Sequence, residues 1–348
     1  MPKVAIIGTT TWGITLGVAL AAKRAEVRLW ARTEDEAVRL LNSEFPSEKF
    51  ANITLPSRLS ITSSLEEALA GTKAVIMAVP SQSIRRNIKL VSPHLDSSML
   101  IVSAAKGLEL ETNLRMSQVI AEEISPDFHP NICVLSGPNL SQEILRDLPA
   151  AAAVAAQTEA VARRAQKLLN TPNLCIYTNT DIIGVELGGA LKNIIALGAG
   201  IVDGLNYGDN AKATFITRGL TEITALGVAL GANPLTFSGL TGLGDLVATC
   251  SSNLSRNHYL GVELTKGRSV EEITVSMSGV AEGVTTTLVA YNLAQQLKLE
   301  MPITEKIYRV LYDGLSTREA ALELMEANVK HELSGRRWRL FSFFKRKR

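Results

Sequence analysis

The chain has 348 residues, 46% of them hydrophobic and 20% charged, enough to bury the cores of two soluble domains. A net charge of +2 is too close to neutral for nucleic acid to be a main partner. Three scattered cysteines (Cys133, Cys175, Cys250) with no C-x-x-C pair argue against structural zinc and a disulfide framework, and for a reducing, cytoplasmic setting.

Residues 3–8, KVAIIG, read as a short buried strand that ends at a glycine, with no signal-peptide pattern before it. GTTTWG (8–13), an apolar helix through Lys23 and a second strand at 26–32 complete the opening βαβ unit of a dinucleotide-binding sheet. The helix N-terminus would offer free N–H groups to a pyrophosphate. In the G-x-G-x-x-G pattern Gly8 and Gly13 hold the first and third places, but Thr10 holds the second. A β-branched side chain there should push the cofactor back or demand a shifted turn. Arg32 follows the second strand where NAD sites carry an acid. It reads either as a solvated strand end or as a partner for a 2′-phosphate, which would let NADPH in.

The alternation then continues. LSIT (59–62) reads as a strand and 64–71 as a helix, with Ser64 and Glu67 forming a capping box. Strands are expected at 73–80, 99–107 and 131–139, so that Lys106 and the 136–139 turn fall at the carboxyl edge where such sheets bind ligands. A further strand pair, 150–156 and 173–179, flanks a helix at 159–169.

From Asp181 the pattern is helical throughout, and the stretch 184–214 stands out. It is apolar and glycine-rich, although each glycine costs roughly 1 kcal/mol in a helix. Such small residues let another helix or a ligand come close. Glu186, Lys192 and Asp203 argue against a membrane span. Glu186 and Lys192 are six apart and cannot pair on the helix surface. Lys192 reads either as a lysine snorkelling to water or as an acid–base group among apolar neighbours. Further helices are expected at 219–232, 269–273, 283–297, 303–312 and 316–326. The four histidines read as surface or loop residues, with no ligand spacing for a metal.

SGPN, ELGGALKNIIALGAGIVDGL, GDNAKAT, TGLGDLVATCSS, LSRNH and VAEGV, in this order, resemble the bacterial type of NAD(P)-dependent glycerol-3-phosphate dehydrogenase over roughly residues 3–333. The resemblance implies an α/β Rossmann-like doubly wound sheet at 1–180 and an all-helical substrate and catalytic domain at 181–333. It implies reversible reduction of dihydroxyacetone phosphate to sn-glycerol 3-phosphate with NADPH or NADH, feeding phospholipid synthesis. By the same resemblance Lys192 is the general acid/base, and Lys106 touches both cofactor and substrate. Gly137, Asn139, Asp245, Thr249, Ser255, Arg256 and Asn257 hold substrate, and Arg256 also reaches the cofactor. Gly8, Thr11, Trp12, Gly13, Arg32, Phe50, Ser141, Val280 and Glu282 fall on cofactor positions. Three departures stand out: Thr10 for the second glycine, Asn139 and Ser141 in the family's S-G-P-[ST]-x-A, and Phe50 where tyrosine is common.

The chemistry fits these residue types. Reduction of a ketone needs a proton for the developing alkoxide, and a buried ammonium both stabilises and protonates it. A terminal phosphate needs a charge-assisted clamp, which Arg256 beside Asn257 offers. The rivals are a hydroxy-acid dehydrogenase of the same two-domain plan and a dinucleotide-binding sensor without turnover. A homodimer is expected. The last fourteen residues, GRRWRLFSFFKRKR, hold seven Arg/Lys and no acid, so residues 1–334 carry −5. Counted from Ser334, this tail (334–348) reads either as a disordered end or as a reversible contact with an anionic membrane.

Overall fold

The computed structural model describes residues 1–23, 25–42, 53–277 and 279–326. Phe50, His331 and the basic tail lie outside the described residues. Among those described, eight strands form one sheet: β1 Lys3–Ile7, β2 Glu26–Trp30, β3 Leu59–Thr62, β4 Ala74–Met77, β5 Leu100–Ser103, β6 Ile132–Ser136, β7 Ala150–Ala156 and β8 Leu174–Asn179. Their spatial order is β3-β2-β1-β4-β5-β6-β7-β8. All neighbours run parallel except β6 and β7, which pair antiparallel.

Parallel strands covered on both faces need apolar side chains at every position. β1 and β4 show why these sequences qualify. Val4, Ile6, Ala74 and Ile76 enter the core on one face, and Ala5, Ile7, Val75 and Met77 enter the core on the other. The covering helices are α1 Thr11–Ala22, α2 Glu34–Leu41, α3 Leu65–Leu69, α4 Ile84–Val91, α5 Met116–Glu123, α6 Ser141–Leu145 and α7 Glu159–Leu169. The strand order reverses direction between β1 and β4, which opens a crevice at their carboxyl ends.

The capping box expected at Ser64 is only half formed. Ser64 Oγ accepts the Glu67 N–H, but the Glu67 carboxylate takes the Thr62 hydroxyl instead, and Thr62 Oγ1 accepts the Ser64 N–H.

The second half is built around α8, Ile182–Gly204, which is buried from Gly184 to Val202. It is long and apolar enough to cross a membrane, yet it is the core of this fold. The long stretch 184–214 is therefore not one segment: α8 ends at Gly204, and α9 Gly208–Ala229 runs back along it, already under way before residue 219. Around them lie α10 Pro234–Phe237, α11 Asp245–Ser251, α12 Arg256–Leu264, α13 Val270–Ser276, α14 Glu282–Leu297, α15 Pro302–Tyr312 and α16 Thr317–Glu326. A π-helical turn, Leu240–Gly244, leads into α11. Glycine does its work where α8 meets α12: a Cβ on Gly200 would strike the His258 carbonyl, and one on Gly261 would strike the Leu197 carbonyl. The two backbones touch there directly.

Candidate active site

A cavity of about 370 Å³ lies between the carboxyl edge of the sheet and the helical wall. Its sheet side is the turn after β1 (Thr9–Trp12), the loop after β4 (Ala78–Pro80) and the loop after β5 that carries Lys106. Gly8 turns the chain with φ +117°, a value L side chains rarely adopt. Thr10 does not obstruct this turn. Its hydroxyl donates to the Ala78 carbonyl (2.7 Å) and accepts the Gly13 N–H (3.1 Å), so the side chain folds back as the N-cap of α1. The threonine replaces a glycine by turning inward, and it consumes one of the N–H groups expected to face the pyrophosphate.

The floor is a knot of three charges. Lys106 Nζ donates to Asp245 Oδ2 (2.5 Å) and to the Gly137 carbonyl (2.7 Å). From the other side Lys192 Nζ lies 2.9 Å from Asp245 Oδ1 and donates to Thr249 Oγ1 (2.5 Å). The Thr249 hydroxyl in turn donates to Asp245 Oδ1 (3.2 Å). Burial alone would raise the Asp245 carboxyl, but the two ammonium groups overcome it and hold the group below the usual carboxylate range. Burial also pushes the Lys106 ammonium down to about 8, with Asp245 opposing and Lys192 adding to the fall. Lys192 does not snorkel to water: its side chain is 8% exposed and its ammonium ends on Asp245 and Thr249.

The helical wall completes the cavity with the first turns of α12 and α14. Ser255 caps α12 through the His258 N–H. Asn257 is locked rather than free: its amide donates to Asn193 Oδ1 (2.9 Å) and accepts the Gly283 N–H (2.9 Å). The fork expected of Arg256 and Asn257 is thus split, with Arg256 at the mouth and Asn257 tying α12 to α8 and α14. Glu282 reaches across to the sheet, where its carboxylate accepts the Ser81 N–H (3.0 Å) and hydroxyl (2.5 Å). Burial raises its pKa, and these bonds oppose the rise.

Thr11, Trp12, Asn139, Ser141 and Val280 line the same cavity as Lys106, Lys192, Asp245, Thr249, Ser255, Arg256, Asn257 and Glu282. Gly8, Gly13, Gly137 and Arg32 do not line it, the glycines because they shape backbone behind its surface. Arg32 is exposed. Both amide atoms of Asn139 are buried without a hydrogen-bond partner, as is Ser136 Oγ. An unmatched donor and acceptor beside a nest of turn and helix N-terminus suit a polar ligand such as a dinucleotide or a small hydroxyketone.

Two profiles of one family match the chain: the NAD-dependent glycerol-3-phosphate dehydrogenase N-terminus over residues 3–162 and its C-terminus over residues 181–322. The chain belongs to the NAD-dependent glycerol-3-phosphate dehydrogenase family. A relative from Dehalococcoides mccartyi, named glycerol-3-phosphate dehydrogenase (NAD(P)+), is 64% identical, covering 100% of this chain and 97% of that one. One of the same name from Citrifermentans bemidjiense is 46% identical over 95% of this chain and 98% of its own. A crystal structure of glycerol-3-phosphate dehydrogenase from Coxiella burnetii superposes with a TM-score of 0.86 at 34% identity, covering 93% of this chain and 99% of that one.

Within this glycerol-3-phosphate dehydrogenase fold, several contributors were not legible in the sequence. Glu36, in the first turn of α2, accepts the Thr9 hydroxyl and the Arg32 N–H (3.0 Å), and so sets an acid behind the cofactor turn. The T-x-x-E run from Thr33 to Glu36 was the available signal. Asn193 beside Lys192 and Ser81 after Pro80 carried none. His258 is not a surface residue. It is 5% exposed, and its Nε2 lies 2.7 Å from Asp203 Oδ2, which also accepts Lys212 (2.6 Å). Burial would raise Asp203; Lys212 and His258 reverse that and keep it ionised.

Proposed function

We propose that Lys192 is the proton donor with which this chain reduces dihydroxyacetone phosphate to sn-glycerol 3-phosphate, reversibly, using NADH or NADPH. The observation that carries the reading is the pair of lysines meeting on one buried carboxylate at the floor of the cavity. When bound, the dinucleotide supplies the hydride. Thr11, Trp12, Ser141, Val280 and Glu282 would hold it, with Gly8 and Gly13 shaping the turn beneath.

Asp245 and Thr249 hold and aim Lys192, whose ammonium stabilises the developing alkoxide and then protonates it. In oxidation the same nitrogen takes the proton back. Lys106 adds a second positive charge beside the reacting oxygen. Ser255 and Arg256 clamp the phosphate, and binding energy from that unreacting end orients the ketone. Asn139 and Thr249 contact the hydroxyketone end. Asn257 acts by holding the clamp helix, and Gly137 by holding Lys106. With a division at residue 180, the cofactor turn falls in the first domain and the proton donor in the second, from which Val280 and Glu282 also reach the cofactor. In the cell, this activity supplies the backbone of phospholipids.

Oxidation of NADH or NADPH with dihydroxyacetone phosphate, followed by absorbance, tests the reading. Lys192→Ala should lose about 10²–10⁴-fold in kcat with cofactor affinity kept. A variant retaining more than about a tenth of kcat would remove Lys192 from this role. We further read the chain as a cytoplasmic homodimer without nucleic acid, whose tail touches anionic membrane. The tail's seven cations among Trp338, Leu340, Phe341, Phe343 and Phe344 favour this reading. Sedimentation with anionic vesicles before and after removal of 335–348 tests it; equal sedimentation would refute it.

A further inference from the structure

The cavity has two walls, and the reaction needs them in one fixed relation. The sheet carries the cofactor turn, and α8 carries Lys192. Polar ties between the walls occur at three places among the described residues. Lys106 meets Asp245, Ser81 meets Glu282, and Glu186 on α8 meets the start of α5. Lys106, Asp245 and Glu282 line the cavity, so cofactor and substrate compete for them. The third tie does not line it.

This third tie is the most fully satisfied. Glu186 Oε1 accepts the Ser117 N–H (2.7 Å), and Oε2 accepts Ser117 Oγ (2.5 Å) and Arg115 Nη1 (2.5 Å). The Glu186 side chain is 5% exposed and that of Arg115 16%. A carboxylate on an N–H and a hydroxyl in the first turn of a helix, with a guanidinium closing it, fixes direction as well as distance. Apolar contact accompanies it: Leu108, which bridges Arg115, belongs to the helical core with Leu187 and Leu191, while Val134 and Ala155 of the sheet and Val185 of α8, with Ile182 packed against them, form a small separate cluster. Lys192 follows Glu186 by six residues, about 9 Å along a helix with no intervening break.

We propose that Glu186 is a positioning residue for the reaction: its carboxylate, seated on Arg115 and Ser117, is the permanent joint that sets Lys192 against the nucleotide-binding sheet. The proposal rests on the reading of Lys192 as proton donor. A rotation of α8 about this joint moves the ammonium relative to the ketone, and misplacement by about 1 Å can cost about 10²-fold.

The test uses the full chain with Glu186→Gln and Ser117→Ala, beside Lys192→Ala. Glu186→Gln keeps size and one acceptor but loses the charge that Arg115 answers. Ser117→Ala removes one bond and leaves the N–H and Arg115 in place, so it carries the test if Glu186→Gln fails to fold. Active-site concentration is fixed by titration with NADH. Glu186→Gln should lose about 10- to 100-fold in kcat, with KM for NADH held within about twofold. Ser117→Ala should lose severalfold. In both, the primary isotope effect from 4-deuterated NADH should rise above that of the wild type, because the chemical step has slowed. A purely structural role lowers the count of active sites and leaves kcat per site and the isotope effect unchanged; that result would overturn the proposal. If Lys192→Ala stays active, the reading of Lys192 fails instead, whatever the Glu186 variants do.

Discussion

Lys106 and Lys192 approach one carboxylate from opposite walls, and this geometry predicts a pH dependence for the proposed reaction. With the Lys106 ammonium lowered to about 8, the residue is charged in neutral solution and neutral in mild alkali. In the proposed reaction the charged form is the one that would assist an anionic substrate. kcat/KM for dihydroxyacetone phosphate should therefore fall as pH rises through about 8, and kcat/KM reports the free enzyme. Lys106→Arg, which cannot lose its charge there, should move that fall to higher pH while lowering the plateau. Equal pH profiles for wild type and variant would mean that another group titrates. The residues that sequence made legible here are those with unusual chemistry for their surroundings, Lys192 above all. The locked amide of Asn257, the inward turn of Thr10 and the burial of His258 were not legible, because each depends on a partner tens of residues away.

Among the elements, α8 and α12 show what the glycines accomplish. Gly200 and Gly261 bring two helix backbones into contact, and α12 opens with Ser255 and Arg256, the proposed phosphate clamp. Gly200→Ala gains roughly 1 kcal/mol in helix propensity but drives a methyl into the His258 carbonyl. Overpacking of this kind costs about 1–3 kcal/mol, so the melting temperature should drop despite the better helix former. A displaced α12 should also raise KM for dihydroxyacetone phosphate severalfold while KM for NADH changes little. A variant with unchanged melting temperature and KM would show that the crossing has room to spare. The glycine-rich composition predicted close approach, and α12 is what approaches. The break at Leu205–Tyr207 had its signal in the polar, glycine-bearing run DGLNYGDN (203–210), which reading 184–214 as one stretch passed over.

At the scale of the whole molecule, the sheet was the most legible part, since short apolar runs ending in glycine turns leave few alternatives to a doubly wound fold. The reversal of β7 was not readable, because a central strand's sequence does not encode the direction of its neighbour. Nor was Glu222 of α9, buried where its carboxylate accepts the Ile303 and Thr304 N–H groups that open α15. Burial pushes this carboxyl up to about 7, the helix N–H groups opposing. A folded-state value above the unfolded one means that the folded chain holds the proton more tightly. The stability so gained is complete below about pH 4.5 and is lost as pH rises to about 7, an amount on the order of 3 kcal/mol. Glu222→Gln should flatten that part of the curve, so that its melting temperature falls less than wild type's between pH 5 and 8. Parallel curves for the two proteins would contradict this.

The buried course of α8 has a further consequence. A helix covered on every side from Gly184 to Val202 has no silent face, so each substitution along it is read twice, once by folding and once by turnover. Adaptation of this enzyme to heat or to a new substrate is thereby pushed outward, to the loops after β1, β4 and β5 and to the first turns of α12 and α14. There, apart from Asn257 and Gly283, which are tied to α8, a side chain can change with less disturbance to the rod that carries Lys192.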